Sequence, residues 1–426
     1  MEKLMYYIWL HRLFSAKELK TTDGLRVQVI DPGRQNTDSG PDFFNAKIKI
    51  GEKLWAGNVE IHQRSSDWLR HNHQQDKAYD SVILHVVEKA DCEIFRMNGE
   101  PIPQLEMECS PRFREDYVRL VQRDAFLPCS HRLAELPPLL LPDWISALSI
   151  ERLQQKSDRI LNWLDMYKGS WEDVCYITFS RTLGFGTNSD TFERLARSLP
   201  LLFMQKHANS LFQIEAFLFG QAGLLEREAC GDDVYYNRLC DEYAFLKNKF
   251  GLTPINGDSW KFFRLRPANF PHQRIAILAQ IIHQGFSLFS QICERKEEKE
   301  FRDIFHFRLS GYWDTHYAFG QQSPSVIKVL GNTAIDIILI NTVAPLLYSY
   351  GIKVGSDLYC DRALFLLESL RPEENMIIRQ FREAGIQARN ALESQALIQL
   401  HKIYCDSRKC LYCRIGHKLL SQMALK

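Results

Sequence analysis

The sequence has almost no excess charge of either sign. Its 426 residues include 53 lysines and arginines against 52 aspartates and glutamates, which leaves a formal net charge of +1 with histidine neutral. A protein with this balance has no overall field that draws it to nucleic acid or to an acidic membrane surface. Any contact with a polyanion must therefore come from local patches of basic side chains.

The sequence also lacks a long uninterrupted apolar run. Its most apolar stretch, residues 334–350, contains Asp336, Asn341 and Pro345. That stretch is shorter than the roughly 20 apolar residues of a membrane-spanning helix, so it predicts a buried helix. The first residues include the acid Glu2 and no apolar core of a signal peptide. We therefore expect a cytoplasmic protein with no secretory signal and no membrane partner.

The cysteines do not follow the spacing of a disulfide framework. Of the 11 cysteines, most are scattered along the chain and only one group is clustered. This usage is typical of proteins in a reducing compartment. The fractions of hydrophobic residues (45%) and charged residues (25%) are those of an ordinary folded protein, and the length suffices for two or three domains.

Two alternating stretches near the N-terminus predict a β-hairpin. The first strand, residues 43–50, has an apolar face made of Phe44, Ala46, Ile48 and Ile50. After a turn at residues 51–53, the return strand carries Glu60 and His62 on one face. Asp42 stands at the start of the first strand, so the hairpin brings Asp42 close to Glu60. Two carboxylates and a third polar group at a sheet end can hold a divalent cation.

These residues resemble the signature of the PD-(D/E)XK nuclease superfamily, in which Pro-Asp opens one core strand and Glu-x-Lys lies on the next. Here the motif reads Pro41-Asp42 and Glu60-Ile61-His62, with His62 in place of the family's lysine. The surrounding pattern predicts a helix at residues 2–13, a strand at 25–30, a helical segment at 67–79 and a strand at 82–87. This is the αβββαβ order of a restriction-endonuclease-like mixed sheet, and it covers the N-terminal part of the chain.

The resemblance implies a nuclease-like activity, the metal-dependent hydrolysis of phosphodiester bonds in nucleic acid, with DNA the expected partner. Asp42 and Glu60 would hold Mg²⁺ or Mn²⁺, and the Ile61 carbonyl would be a further ligand. His62 would orient water or stabilise charge, and Gln63 and Arg64 would position phosphate. Glu2, on the first helix, could approach the metal. The alternative is an inactive protein of the same fold that binds nucleic acid or serves as a scaffold.

The segment after His62 is unusually rich in metal-ligand side chains. His71 and His73 are assigned to contacts with phosphate or metal. Two residues apart on a helix, they would diverge by about 200°, so both reach one site only if the chain is extended or the helix begins later. A zinc site of His62, His71, His73 and Asp76 is one interpretation, and a solvated polar helix face is the other. His85 is expected to be a hydrogen-bonded core residue outside the site.

The clustered cysteines lie near the end of the sequence. Cys405, Cys410, Cys413 and His417 have the short spacing of a zinc site. The run partly resembles the cysteine loop of iron–sulfur DNA glycosylases, in which case Cys360 would complete the ligands if the fold brings it close. The plainer interpretation is a set of reduced, half-buried thiols. Residues 401–426 also have six lysines and arginines against one acid, so this tail could contact a nucleic-acid backbone.

The pattern of apolar residues turns helical from about residue 144 onward. We therefore predict an α/β nuclease-like domain over residues 1–125, a larger, mainly α-helical domain over residues 140–400, and a cysteine-rich basic tail over residues 401–426. The whole chain also resembles an uncharacterised bacterial family of unknown function, which supplies no activity to carry over.

Overall fold

The chain forms two compact units in the computed structural model, which describes residues 2–14, 18–36, 39–108, 111–123, 125–225, 233–306, 308–309, 311–323 and 329–424. The mixed-sheet unit contains residues 1–144 and 400–426, and the helical unit contains residues 145–399. Residues 401–426 were predicted to be a separate tail. In the structure these residues belong to the same unit as the N-terminal part of the chain.

Helices and strands alternate at the start of the chain, and helices dominate the rest. Up to residue 166 the elements are α1 (Glu2–Leu10), β1 (Val27–Asp31), β2 (Arg34–Gln35), β3 (Phe43–Ile50), β4 (Lys53–Arg64), α2 (Ser66–Arg70), β5 (Val82–Lys89), β6 (Gln104–Glu106), α3 (Pro111–Gln122) and α4 (Leu140–Met166). The later elements are α5 (Trp171–Leu183), α6 (Ser189–Ser198), α7 (Leu201–Gln205), α8 (Leu211–Gln221), α9 (Val234–Phe250), α10 (Pro271–His283), α11 (Leu288–Glu294), α12 (Glu298–Asp303), β7 (His316–Ala318), β8 (Gln321–Gln322), α13 (Asn332–Ile338), α14 (Ala344–Val354), α15 (Asp357–Ser369), α16 (Met376–Glu383), α17 (Ala391–Gln399) and α18 (Arg414–Ala424).

The sheet of the first unit is mixed. Strands β1, β3, β4, β5 and β6 lie side by side in that order, and β2 pairs with β3. The pairs β1–β3 and β3–β4 are antiparallel, whereas β4–β5 and β5–β6 are parallel. A parallel pair needs a crossover between its strands, and the segment that contains α2 supplies the one between β4 and β5. The prediction of an N-terminal mixed sheet followed by a mainly helical region is confirmed.

The alternation of β3 breaks at Asn45, which has a φ of +57°. Its N–H donates to Asn58 Oδ1 on β4 at 3.2 Å, and the pairing register shifts between Phe43 and Ala46. As a result Phe43 is fully buried, whereas simple alternation predicted Phe44 on the apolar face. A bulge of this kind redirects the side chains at the end of a strand. In this protein that end carries Asp42.

The predicted helix at residues 67–79 is wrong as a continuous element. α2 ends at Arg70, and Asn72 adopts the left-handed conformation with a φ of +61°. Asparagine tolerates this conformation better than most residues. Two short 3₁₀ turns follow, His73–Gln75 and Lys77–Ser81. The break lifts the helical constraint that would have pointed His71 and His73 in different directions.

The helical unit packs its helices around one large apolar core. Its fully buried side chains include Tyr176, Phe179, Phe217, Phe219 and Trp313. The predicted buried helix at residues 334–350 is longer than expected and runs without a break over Asn332–Val354, with a π-helical segment at Leu339–Val343. Its length and composition would suffice to cross a membrane, but 67% of its most apolar window is buried inside the unit.

Close packing of α8 against α9 depends on Gly220. A methyl group at this position would lie 2.0 Å from the Tyr243 ring. Tyr243 cannot easily move aside, because its ring is buried and its hydroxyl donates to Gln221 Oε1 at 3.0 Å. We therefore expect Gly220→Ala to destabilise the protein by about 1–3 kcal/mol.

Thermal unfolding measures this effect, with Gly331→Ala as the matched control. Within the part of the chain that the structure describes, nothing lies within 4 Å of a methyl group added at Gly331, and its φ of −69° suits alanine. Equal unfolding temperatures for the two variants would contradict the close packing at Gly220.

Candidate carboxylate–histidine site

Asp42 and Glu60 lie beside each other at one end of the sheet. Phe43 pairs with Val59 across β3 and β4, which places Asp42 next to Glu60. The Asp42 backbone N–H donates to Glu60 Oε2 at 3.0 Å, and the Ile61 N–H donates to Asp42 Oδ2 at 2.9 Å. Each carboxylate therefore accepts a hydrogen bond from a backbone N–H of the opposite side of the hairpin, and this fixes its position.

Helix α1 supplies a third contact to this pair. The Tyr6 hydroxyl donates to Asp42 Oδ1 at 2.8 Å, so both oxygens of Asp42 accept hydrogen bonds. Burial raises the pKa of Tyr6, and the Asp42 charge raises it further. The negative charge of Glu2 contributes to raising the pKa of Asp42, so Glu2 lies within electrostatic reach of the site. Tyr6 was not predicted as a site residue, although it lies one helical turn after Glu2, on the same helix face.

His62 follows Glu60 on the same face of β4 and is 3% exposed. Its Nε2 lies 3.5 Å from Glu60 Oε1 and 3.1 Å from His71 Nδ1. Its Nδ1 lies 2.8 Å from Nε2 of His85, which is opposite Glu60 in the parallel register of β4 and β5. His85 was predicted to lie outside the site, but it contacts His62 directly. Its position follows from strand pairing, which its local sequence does not reveal.

His73 completes the group from the other side of Asn72. Its Nε2 lies 3.4 Å from Glu60 Oε1, and its ring stacks on Tyr79 with the ring centres 3.8 Å apart. This nitrogen is buried and has no aligned hydrogen-bond partner among the residues that the structure describes. One ring nitrogen from each of His62, His71 and His73 lies within 4.8 Å of the others. We call Asp42, Glu60, His62, His71 and His73 the carboxylate–histidine site.

Burial controls the protonation of both carboxyl groups. It raises the pKa of Glu60 to about 9, with the Asp42 charge adding to the increase. It raises the pKa of Asp42 to about 6, although hydrogen bonds from Ile61 and Tyr6 act in the opposite direction. A neighbouring cation would favour the ionised carboxylates and offset this penalty.

Burial keeps the imidazoles of His62, His73 and His85 neutral. Burial lowers the pKa of His62, and the neighbouring histidines, His85 most strongly, contribute to its final value of about 2. It lowers the pKa of His73 to about 4 and that of His85 to about 3. Neutral imidazole is the form that binds metal ions. The site therefore combines imidazoles in the form that can bind a metal with carboxyl groups that a cation would ionise.

Other predicted site residues have different surroundings. The Asp76 carboxylate accepts from the Ala78 N–H at 2.9 Å and caps a 3₁₀ turn, so it is already used outside the histidine group. Gln63 and Arg64 are exposed at the end of β4. Arg70, which was not among the predicted site residues, is exposed and contributes to the low pKa of His62. It is thus a solvent-facing cation near the buried group.

The C-terminal cysteines occupy a separate region of the same unit. Cys405 ends a π-helical segment, Leu400–Cys405, and Cys413 immediately precedes α18. His417, the predicted fourth ligand, has Nδ1 2.5 Å from Tyr7 Oη, and its ring packs against His11. Cys360, the other candidate, belongs to the helical unit, where its thiol donates to the Tyr348 carbonyl at 3.8 Å.

The shifted pKa of Glu60 predicts a specific dependence of stability on pH. Because folding raises this pKa from 4.5 to about 9, the folded protein holds the proton more tightly, and stability falls as pH rises through that interval. Asp42 completes its similar change by about pH 6, and the buried histidines act only below about pH 6.5. Between about pH 7 and 9, the raised pKa of Glu60 therefore makes the folded protein less stable as pH rises.

We expect Glu60→Gln to gain thermal stability relative to the unmodified protein as pH rises from about 7 to about 9 in the presence of a chelator. Differential scanning fluorimetry across this range measures the difference. The exposed acid Glu52, at the turn of the same hairpin, supplies the control Glu52→Gln, for which we expect no trend. A difference that does not change with pH would show that Glu60 ionises normally.

Comparison with known proteins gives one result. Residues 2–376 match the family model described as protein of unknown function (DUF2851), a range that includes the carboxylate–histidine site and ends before the C-terminal cysteines. No curated protein and no solved structure matches the chain. The predicted resemblance to an uncharacterised family is confirmed, and the chain belongs to the DUF2851 family of proteins of unknown function.

Proposed function

We propose that this protein is a metal-dependent hydrolase of phosphodiester bonds in nucleic acid, with Asp42, Glu60 and His62 as its catalytic residues. The observation that carries the proposal is the convergence of a buried carboxyl group, Glu60, a half-buried one, Asp42, and three imidazoles at one end of a mixed sheet. With the two-residue β2 set aside, the order α1, β1, β3, β4, α2, β5 also corresponds to the αβββαβ order that the PD-(D/E)XK resemblance implies. Asp42 and Glu60 stand at the two acidic positions of that motif.

The residues of the site fit a divalent cation. Asp42 and Glu60 offer carboxylate oxygens, and His62, His71 and His73 offer imidazole nitrogens within 4.8 Å of one another. Oxygen ligands suit Mg²⁺, whereas imidazole favours transition metals. The mixed set therefore favours Mn²⁺ or Zn²⁺ over Mg²⁺. When bound, such a cation would supply the Lewis acidity that stabilises charge on the phosphate.

The protein's own contribution is to hold these groups in place. Asp42 is fixed by Tyr6 and by the Ile61 N–H, and Glu60 is fixed by the Asp42 N–H. Groups that are fixed before the substrate binds reorganise little during the reaction. This preorganisation is the main source of electrostatic stabilisation in enzymes. The Ile61 carbonyl remains a candidate ligand. Around the buried group, the exposed Gln63, Arg64 and Arg70 would contact the phosphate backbone.

His62 differs from the lysine of the resembling family in its charge. From the sequence, two roles were open to it, a neutral ligand or base and a cationic stabiliser of charge. The pKa of about 2 and the three neighbouring imidazoles favour the neutral role. In this proposal His62 binds the metal or accepts a proton, and Arg70 replaces the missing positive charge.

Substitution of the carboxylates tests the proposal directly. We expect Asp42→Ala and Glu60→Ala each to weaken Mn²⁺ binding by at least about tenfold and to abolish Mn²⁺-dependent cleavage of DNA or RNA. Isothermal titration with Mn²⁺ and a cleavage assay on single- and double-stranded substrates give the two readouts. Glu52→Ala is the control, since its side chain is 97% exposed on the same hairpin. Unchanged Mn²⁺ affinity in both site variants would exclude the proposed chemistry.

His62→Lys separates the two roles of His62. A lysine ammonium at this buried position would lie among three imidazoles and would remove a neutral ligand, so we expect loss of both metal binding and cleavage. In the unmodified protein His62 should add no titration to the pH–rate profile between about pH 5 and 8. His306→Lys, at an exposed position of the helical unit, is the control. Full activity of His62→Lys would show that His62 merely occupies the lysine position of the family.

Two alternative functions can be distinguished from the proposed one by experiment. The cluster of His62, His71 and His73 favours a zinc hydrolase as the second candidate, and zinc that survives Asp42→Ala but not His71→Ala would support it. The third is a scaffold that binds nucleic acid without cleaving it. Its signature would be equal nucleic-acid affinity in the unmodified protein and in Glu60→Ala, with no cleavage by either.

A further inference from the structure

The fold brings a cysteine from far upstream to the C-terminal cysteines. Arg408 Nη1 donates to the Ala125 carbonyl at 3.2 Å, and the Phe126 ring stacks on the His401 ring with centres 4.0 Å apart. These contacts hold the segment that leads to Cys129 against the segment that carries Cys405. Cys129 was not predicted, because nothing in the spacing of the other cysteines points to a residue so distant along the chain.

The C-terminal segment has a fixed backbone around its cysteines. The Lys409 N–H donates to the Tyr404 carbonyl at 2.8 Å, and the Cys413 N–H donates to the Cys410 carbonyl at 3.3 Å. Gly416 lies directly against the latter turn, since a methyl group there would be 2.1 Å from the Cys410 oxygen. Tight turns and a close glycine contact set the positions of all three thiols.

Four thiols share this region with little access to solvent. Cys129, Cys405 and Cys413 are buried, at 7–8% exposure, and Cys410 is half-buried. Burial raises the pKa of Cys405, and Cys413, Cys129 and Cys410 each raise it further. Burial also raises the pKa of Cys129 to about 12, with Cys413 and Cys410 adding to the increase. The thiols oppose one another's ionisation, a penalty that a bound cation would remove.

We propose that Cys129, Cys405, Cys410 and Cys413 form a four-thiolate metal centre that fastens the C-terminal segment to the N-terminal part of the mixed-sheet unit. Thiolate is the ligand that selects zinc and iron–sulfur clusters. Cys129 takes the place that the sequence-based prediction gave to His417, whose imidazole is paired with Tyr7. The proposed centre lies apart from the carboxylate–histidine site and does not depend on its chemistry.

The spacing of the thiols bears on which metal would occupy the centre, a zinc ion or an iron–sulfur cluster. Sulfurs on one tetrahedral zinc ion lie about 3.8 Å apart, given a Zn–S distance of about 2.3 Å. Among the described residues, no three thiol sulfurs lie within 4.8 Å of one another. A four-iron cluster binds each sulfur to a different iron and therefore takes a wider arrangement. The thiols are therefore not closed around a single zinc ion, and an iron–sulfur cluster is the occupant to test first.

The test is metal analysis of the full chain purified without oxygen. We expect about four irons with matching acid-labile sulfide and broad visible absorption, or about one zinc if the thiols close around a single ion. Glu60→Ala is analysed in parallel, so that metal held at the carboxylate–histidine site is subtracted. Cys129→Ser should lose most of the remaining metal. His417→Gln and Cys92→Ser, the latter a half-buried thiol of the same unit, should retain it.

Two results would overturn the proposal. One is a chain that holds no metal beyond that removed by Glu60→Ala, even after reconstitution with iron and sulfide or with zinc. The other is retention of the metal by Cys129→Ser together with its loss in His417→Gln, which would restore the set of three cysteines and one histidine. If Cys129→Ser does not fold, titration of the unmodified protein with Co²⁺ replaces it. Either thiolate-to-cobalt absorption or the visible absorption of an iron–sulfur cluster after reconstitution supports the centre, and the absence of both excludes it.

Discussion

The contact between Asp42 and Glu60 is the constraint on which the rest of the carboxylate–histidine site depends. Two carboxyl groups in a buried position repel each other when both are charged, and burial alone already disfavours their ionisation. The backbone donors of Asp42 and Ile61 hold them together nonetheless. A protein that fixes such an unfavourable pair is equipped to receive a positive charge, which is the physical basis for the proposed metal site.

The histidines determine which metal ion would suit the site. Of the four imidazoles, two lie beside Glu60 and the other two contact His62. Burial keeps His62, His73 and His85 neutral. A group of neutral nitrogens beside paired carboxylates distinguishes this site from one built only of oxygens, which would suit Mg²⁺. His85 contacts His62 on the side away from Glu60 and, in the proposed metal site, would fix the orientation of its ring.

The local pattern of apolar and polar residues could predict the structural features that depend only on residues close together in the chain. The hairpin follows from alternation and from the turn, so the general proximity of Asp42 and Glu60 could be predicted, although the register at that end is set by the Asn45 bulge. The Asn45 bulge and the left-handed Asn72 could not, because asparagine only permits a positive φ and does not require it. His85 and Cys129 were missed because strand pairing and tertiary contacts place them, and neither is visible in local spacing.

The division of the chain has a consequence for its synthesis. The mixed-sheet unit is made of residues 1–144 and 400–426, so the helical unit lies within it as an insertion in the sequence. At the usual rate of translation, roughly 10–50 s pass between synthesis of the two parts. During that time α18 and the last three thiols of the proposed centre do not yet exist. The surface of the N-terminal sheet that will contact the C-terminal segment therefore stays exposed during this time. The inserted helical unit can already fold.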